Sequence, residues 1–249
     1  MKARALIANC ISPINDFFFP PICFSCGNRL ADTESRVCRT CWQSIERIHP
    51  NDHTMQVMRA RFLEDASIDE FYSCYYFQEG GVFQKLVHSL KYDATTKLGI
   101  ELGRNIGNVM KDETDTSAVD ALVPVPLHKL KQRERGYNQS DSLCDGIAEA
   151  IHRPVALSLV KRLKNTVSQT HLSAEERNRN VGDAFEVSAI DRHLVNGKTL
   201  MIVDDVITTG STIQSVARIL KRAGAAKVIA ASAAIAKLDS KRETKRVMQ

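Results

Sequence analysis

The sequence predicts an α/β protein, a parallel sheet flanked by helices, carrying a small N-terminal module held together by cysteines. Three observations carry that expectation. Strand-like and helix-like apolar stretches alternate from Phe71 to Ala236. Two Cys-x-x-Cys pairs, Cys23/Cys26 and Cys38/Cys41, stand 11 residues apart near the start. An apolar run at Leu200–Val206 delivers two adjacent carboxylates to a turn rich in hydroxyls.

The 249 residues suffice for one medium domain and one small one. Charged residues at 25% and hydrophobic ones at 43% exclude a largely disordered chain and a coiled-coil rod. No apolar run reaches the ~18–20 residues of a membrane helix, so no membrane insertion is expected. Met1–Arg4 carries two cations, but the short apolar stretch behind it lacks a full signal-peptide core. The expected organisation is a helix and cysteine module over 1–48, the main domain over 49–236, and a basic, disordered tail over 237–249. Of the net charge of +5, the tail holds +3. Thiolate ligation of Zn²⁺ by four cysteines would lower the total by two, so charge alone is a weak nucleic-acid signal.

Leu6, Ile7, Ile11, Ile14, Phe17 and Phe18 have loosely helical spacing, ended by Pro20-Pro21. The expected role is a helix packed on the main domain. The cysteine pairs can place four sulfurs on a tetrahedron, which suits Zn²⁺. Gly27 eases the backbone around the metal. Two disulfides, free thiols or an iron site are the alternatives. The count of seven cysteines and the absence of an export signal disfavour disulfides, and nothing else points to electron transfer. With Cys23, Cys26, Cys38 and Cys41 all ligating, no position stays open, and the zinc is a folding staple rather than a catalyst.

In the main domain, Phe71–Phe77 reads as a strand ended by Gly80-Gly81. Phe83, Leu86, Val87 and Leu90 fit one helix face, and Leu98, Leu102, Ile106 and Val109 fit another. Val119–Pro126 reads as a buried strand. Ser140 is read as the cap of a helix carrying Leu143, Cys144, Ile147 and Ile151. A short strand is read over Val155–Val160, then a clear one over Leu200–Val206, a helix over Ile213–Ala223 ended by Gly224, and a last strand over Lys227–Ala236.

The segment Leu200–Thr212 carries the most chemistry. Backbone N–H groups and hydroxyls of Thr208-Thr209-Gly210-Ser211-Thr212 can converge on one anion at a helix start. Asp204 and Asp205, just upstream, suit hydroxyls or a divalent cation instead. A ribose 5-phosphate with Mg²⁺ satisfies all of these. The segment resembles the 5-phosphoribosyl 1-pyrophosphate (PRPP) motif of type I phosphoribosyltransferases. That resemblance assigns Asp204 and Asp205 to the ribose hydroxyls and Thr208–Thr212 to the 5-phosphate. Gly197-Lys198-Thr199 has only the ending of a Walker A loop: Arg192 stands where glycine is needed and a strand follows.

After Val123-Pro124-Val125-Pro126, a loop is expected to carry four cations ahead of Gly136. It is either a solvated basic turn or, after the preceding strand of a PRPP-type sheet, a pyrophosphate loop. The polar, basic stretch from Lys161 to Phe185 reads as a mobile lid, with a plain surface loop as the alternative.

Taken in order, the cysteine pairs, His-Ser-Leu-Lys-Tyr at His88–Tyr92, Val-Pro-Val-Pro with Arg-Gly-Tyr-Asn-Gln, and Val-Asp-Asp-Val-x-Thr-Thr-Gly-Ser-Thr resemble the ComF family of competence-associated proteins. The resemblance runs from about residue 6 to 236. It implies a type I phosphoribosyltransferase fold with an N-terminal zinc ribbon, acting in the cytoplasm on incoming single-stranded DNA. Three functions follow from it. As an enzyme, the protein would bind PRPP with Mg²⁺, with Asp204 and Asp205 as the catalytic carboxylates that hold the ribose and Arg133, Arg135 and Lys91 meeting pyrophosphate. As a binding module, its basic loops and ribbon, with Trp42 adjoining, would contact single-stranded DNA. As an adaptor, the ribbon would recruit other competence proteins.

Overall fold

The structure is a computed structural model that describes residues 20–49, 51–92, 95–113, 115–163 and 184–237. The expected helix over Leu6–Phe18, most of the expected lid and the tail beyond Lys237 lie outside them. The strands are β1 (Glu70–Phe77), β2 (Ala121–Pro124), β3 (Val160–Arg162), β4 (Phe185–Val187), β5 (Thr199–Ile207) and β6 (Lys227–Ala236). The helices are α1 (Arg39–Ser44), α2 (His53–Glu64), α3 (Val82–Tyr92), α4 (Thr96–Glu113), α5 (Lys129–Arg135), α6 (Gln139–Ile151) and α7 (Ser211–Arg222).

β1, β6, β5 and β2 form one parallel sheet in that order, while β3 and β4 pair as an antiparallel hairpin apart from it. Central strands of such a sheet must be apolar on both faces, and β5 and β6 are. Met201 and Val203 on β5, with Ile229 and Ala231 on β6, pack against α3, α4 and α6 through Leu90, Leu102, Ile106 and Ile147. Leu200 and Ile202, with Val228 and Ala230, face the other way onto α2 and α7 through Met58, Phe62, Val216 and Leu220. The period-two alternation of one strand thus builds both layers.

α4 and α6 meet through glycines. A Cβ on Gly103 would collide with the Leu143 carbonyl oxygen and sit 3.0 Å from the Gly146 Cα. This close approach sets the height of α6, whose first turn reaches the end of β5.

Four expectations are corrected. Val119–Pro126 narrows to Ala121–Pro124. Val155–Val160 is no strand: Val155 makes a single bridge to Leu122, and the β3 ladder begins only at Val160. The cation-bearing segment after Pro126 is a helix rather than a loop, because His128 Nδ1 accepts from the Leu130 N–H at 3.3 Å and Gly136 closes it at φ 77°. The α6 cap is Asn138, whose side chain accepts from the Ser140 N–H, so Ser140 lies inside the first turn. In addition, the sequence pattern read above contains no element at α2.

The cysteine module seals the free edge of β1. Ile48 N–H donates to Cys74 O at 3.1 Å and Tyr76 N–H to Glu46 O at 3.0 Å. Trp42 Nε1 donates to Glu101 Oε1 on α4 at 3.0 Å. Cys23, Leu30, Val37 and Ile45 share one buried cluster with Tyr75 and Phe83. Among the described residues, no helix is long and apolar enough to cross a membrane.

Candidate functional site

The metal centre is built by two turns. Gly27 N–H donates to Cys23 O at 2.9 Å, with Gly27 at φ 74°, and Cys38 N–H donates to Cys23 Sγ at 3.3 Å. The sulfurs of Cys23, Cys26, Cys38 and Cys41 all lie within 4.8 Å of one another. Four thiolates at ~2.3 Å from Zn²⁺ stand ~3.8 Å apart on a tetrahedron. Cys26 Sγ and Cys38 Sγ are 3.8 Å apart. All four cysteines are free of disulfides. The donor set therefore fits one structural zinc.

The second site lies at the carboxyl end of the sheet, where ligands of open α/β folds bind. β5 ends in Asp204 and Asp205. The Asp205 N–H donates to Asp204 Oδ1 at 2.9 Å and the Val206 N–H to Asp205 Oδ1 at 2.7 Å. Ser140 Oγ on α6 donates to Asp204 Oδ1 at 3.4 Å, and Lys91 Nζ on α3 lies 2.9 Å from Asp205 Oδ2. A cleft of ≈ 180 Å³ opens above them, walled by Lys91, Lys131, Arg135 and Arg162 and by Gln139, Ser140 and Thr212. Gln139 is buried, and its Nε2 has no hydrogen-bond partner among the described residues.

A smaller hollow of ≈ 50 Å³ adjoins this cleft and is lined by Asp204 and by Val206 to Ile213. Gly210 turns the chain at φ 80° into α7. The turn is held by the Ser211 N–H donating to Thr209 Oγ1 at 3.4 Å. It is also propped from α2. Arg61 Nη1 donates to Thr209 O at 3.2 Å, and a Cβ on Gly210 would stand 2.6 Å from Phe62 Cε1.

Burial, and then the neighbouring Asp205 carboxylate, push Asp204 from its ordinary 3.8 up to about 7. The native state therefore holds more protons than the unfolded chain between those two values, and stability falls as pH rises through that window. Asp204→Asn removes the titration. Its melting temperature relative to wild type should rise between pH 5 and pH 8. A difference that stays flat over that range would contradict the assignment. Burial also lowers Arg162, opposed by Asp204.

The structure brings together Asp204, Asp205, Lys91, Arg135 and Thr212 at the cleft, and Thr208 to Thr212 at the hollow. It leaves Arg133 exposed and outside both. In a helix, Lys131 and Arg135 share a face four residues apart and Arg133 does not. The sequence reading has Ser140 only as a helix cap and Lys131 only as one of four loop cations, and it gives Gln139, Arg162 and the props Arg61 and Phe62 no individual place at the site. The i, i+4 spacing of Lys131 and Arg135 was the available signal.

A family model for the phosphoribosyl transferase domain matches residues 149–248, and one for the double zinc ribbon domain matches residues 14–52. Competence protein F of Haemophilus influenzae is 27% identical over 228 residues, 90% of this chain and 88% of that protein. DNA utilization protein YhgH of Salmonella typhimurium is 36% identical over 146 residues, 57% of this chain and 63% of that one. Competence protein ComFC of Bacillus subtilis is 24% identical over 207 residues, 82% of this chain and 80% of that protein. Lys91 and the α5–α6 wall lie outside the phosphoribosyl transferase match, so their place at the cleft comes from the structure. A four-sulfur ribbon set on a parallel sheet whose Asp204-Asp205 edge runs into a hydroxyl-lined turn, with similarity to competence protein F and ComFC spanning both parts, supports the resemblance to the ComF family.

Proposed function

We propose that the protein binds PRPP with Mg²⁺ as a cytoplasmic phosphoribosyltransferase-domain protein of competence, handling incoming single-stranded DNA. The observation that carries the binding is the continuity of the two hollows. Asp204 and Thr212 line both, so an anion-holding turn, a pair of carboxylates and a cationic wall follow one another. A 5-phosphate, a ribose diol and a pyrophosphate follow one another in PRPP in the same order. The DNA role rests on the names of the relatives, competence proteins and a DNA utilization protein.

In this reading the Thr208–Thr212 turn holds the 5-phosphate with its amides and hydroxyls at the start of α7. Asp204 and Asp205 accept from the ribose hydroxyls. Lys131, Arg135, Arg162 and Lys91 face pyrophosphate. Gln139 Nε2 adds a donor at the same wall; a buried donor left unmet costs about 1–3 kcal/mol. Mg²⁺ suits carboxylate and phosphate oxygens, and when bound with the ligand it supplies charge neutralisation. For transfer, the C1–oxygen bond to pyrophosphate would break as a nucleophilic acceptor atom bonds C1 and gives up its proton, and the cationic wall would carry the charge arising on the leaving oxygen.

The test is calorimetric titration of the zinc-loaded protein with PRPP, with and without Mg²⁺. At pH 8, above the value of about 7 that Asp204 takes, wild type should bind only with Mg²⁺, and the Asp204→Asn/Asp205→Asn double variant should lose at least about 100-fold in affinity, two charged contacts at roughly 1.5–3 kcal/mol each. Undiminished heats in the double variant would refute the reading.

A further inference from the structure

We propose that Lys91 is a selectivity latch: it holds the Asp205 oxygen that a ribose hydroxyl would use, and yields it to a sugar phosphate that carries its own pyrophosphate at C1. This rests on the PRPP reading above and names what that site discriminates.

Asp205 has two carboxylate oxygens. Oδ1 is engaged by the Val206 N–H at 2.7 Å, which keeps the end of β5 in shape. Oδ2 is the one Lys91 Nζ takes, at 2.9 Å. A hydroxyl that donates to Oδ2 meets Lys91 at the same oxygen, so the lysine weakens that bond without excluding it. The pair is well sheltered, with side-chain exposures of 27% for Lys91 and 14% for Asp205, so breaking it without a replacement partner is costly.

The lysine cannot swing away with its helix. The Tyr137 hydroxyl donates to the Leu90 carbonyl, one residue before Lys91. On the other side, Arg135 lies 5.8 Å over the Tyr92 ring, which itself packs at 4.6 Å on His88. The end of α3 is pinned, and only the side chain of Lys91 is left to move.

Its surroundings decide where it can go. Lys131, Arg135 and Arg162 line the same wall, so a displaced ammonium meets three like charges. Ribose 5-phosphate offers no anion there. It must either leave Asp205 to Lys91 or leave the lysine with Asp204 as the other carboxylate of the cleft, beside three cations. PRPP brings pyrophosphate to that wall. The lysine then exchanges one anionic partner for another, and Asp205 turns to the diol. Diol binding and pyrophosphate binding are coupled through one side chain.

The experiment compares PRPP and ribose 5-phosphate, each with Mg²⁺, by calorimetry on zinc-loaded wild type, Lys91→Met and Lys91→Gln, with thermal melts confirming that the variants fold. Wild type should prefer PRPP. Both variants should lose affinity for PRPP and gain it for ribose 5-phosphate, each by about tenfold, within the usual span of coupling between sites. Weakening of both ligands by one factor, or of PRPP alone, would overturn the latch while leaving the PRPP site standing. Wild type that binds neither ligand would overturn both.

Discussion

Cys38→Ser will lose the zinc and, with it, the order of the N-terminal module. A Cys₄ zinc site in a small module contributes ~10–16 kcal/mol of apparent binding energy to folding. Loss will not stay local. Cys23, Leu30, Val37 and Ile45 are buried with Tyr75 and Phe83, and the Glu46–Ile48 segment seals β1. The variant should bind less than half an equivalent of zinc, cut rapidly in residues 20–48 under limited proteolysis, and melt at least ~10 °C lower, since about 2–4 °C accompanies each kcal/mol in a domain of this size. A variant that loses the zinc yet melts within about 2 °C of wild type, the shift of a single kcal/mol or less, would remove zinc as the staple.

Gly103→Ala is the second large effect. Its added methyl would collide with the Leu143 carbonyl oxygen, a backbone atom that no rotamer change can move. Overpacking costs about 1–3 kcal/mol, and a backbone obstacle puts this case at the upper end. A melting temperature lower by roughly 5–10 °C follows. The separation of α4 from α6 must widen, which carries Ser140 away from Asp204, so PRPP affinity should fall even below the melt. Differential scanning calorimetry and titration of the same sample check both. Unchanged stability would mean that the two helices are not in close contact.

The parts of the metal centre and of the cleft differ in how plainly the chain declares them. The four cysteines and the Leu200–Thr212 segment are legible because each is contiguous: ligand spacing, strand, carboxylates and turn follow one another in a few residues. The cationic wall is not. Read as a loop, the segment after Pro126 lets every cation converge; as a seven-residue helix it sorts Lys131 and Arg135 from Arg133. That sorting depends on a His128 cap, which composition does not announce. α2 escaped notice because its buried residues, Met55, Met58 and Phe62, are thinly spaced among polar ones. Its purpose appears only where Phe62 meets Gly210, 148 positions later. The shift of the α6 cap from Ser140 to Asn138 is one of two residues, yet it frees the Ser140 hydroxyl to reach Asp204.

The prop under Gly210 also bears on how the molecule can be divided. The span matched by the phosphoribosyl transferase family model starts at residue 149, so it contains β5 and β6 but neither flanking strand. Cut out alone, it would expose both margins of a two-stranded ribbon and leave the anion turn with nothing beneath it. The smallest working piece must therefore reach back at least to α2, and a shorter excision should aggregate before it can be assayed.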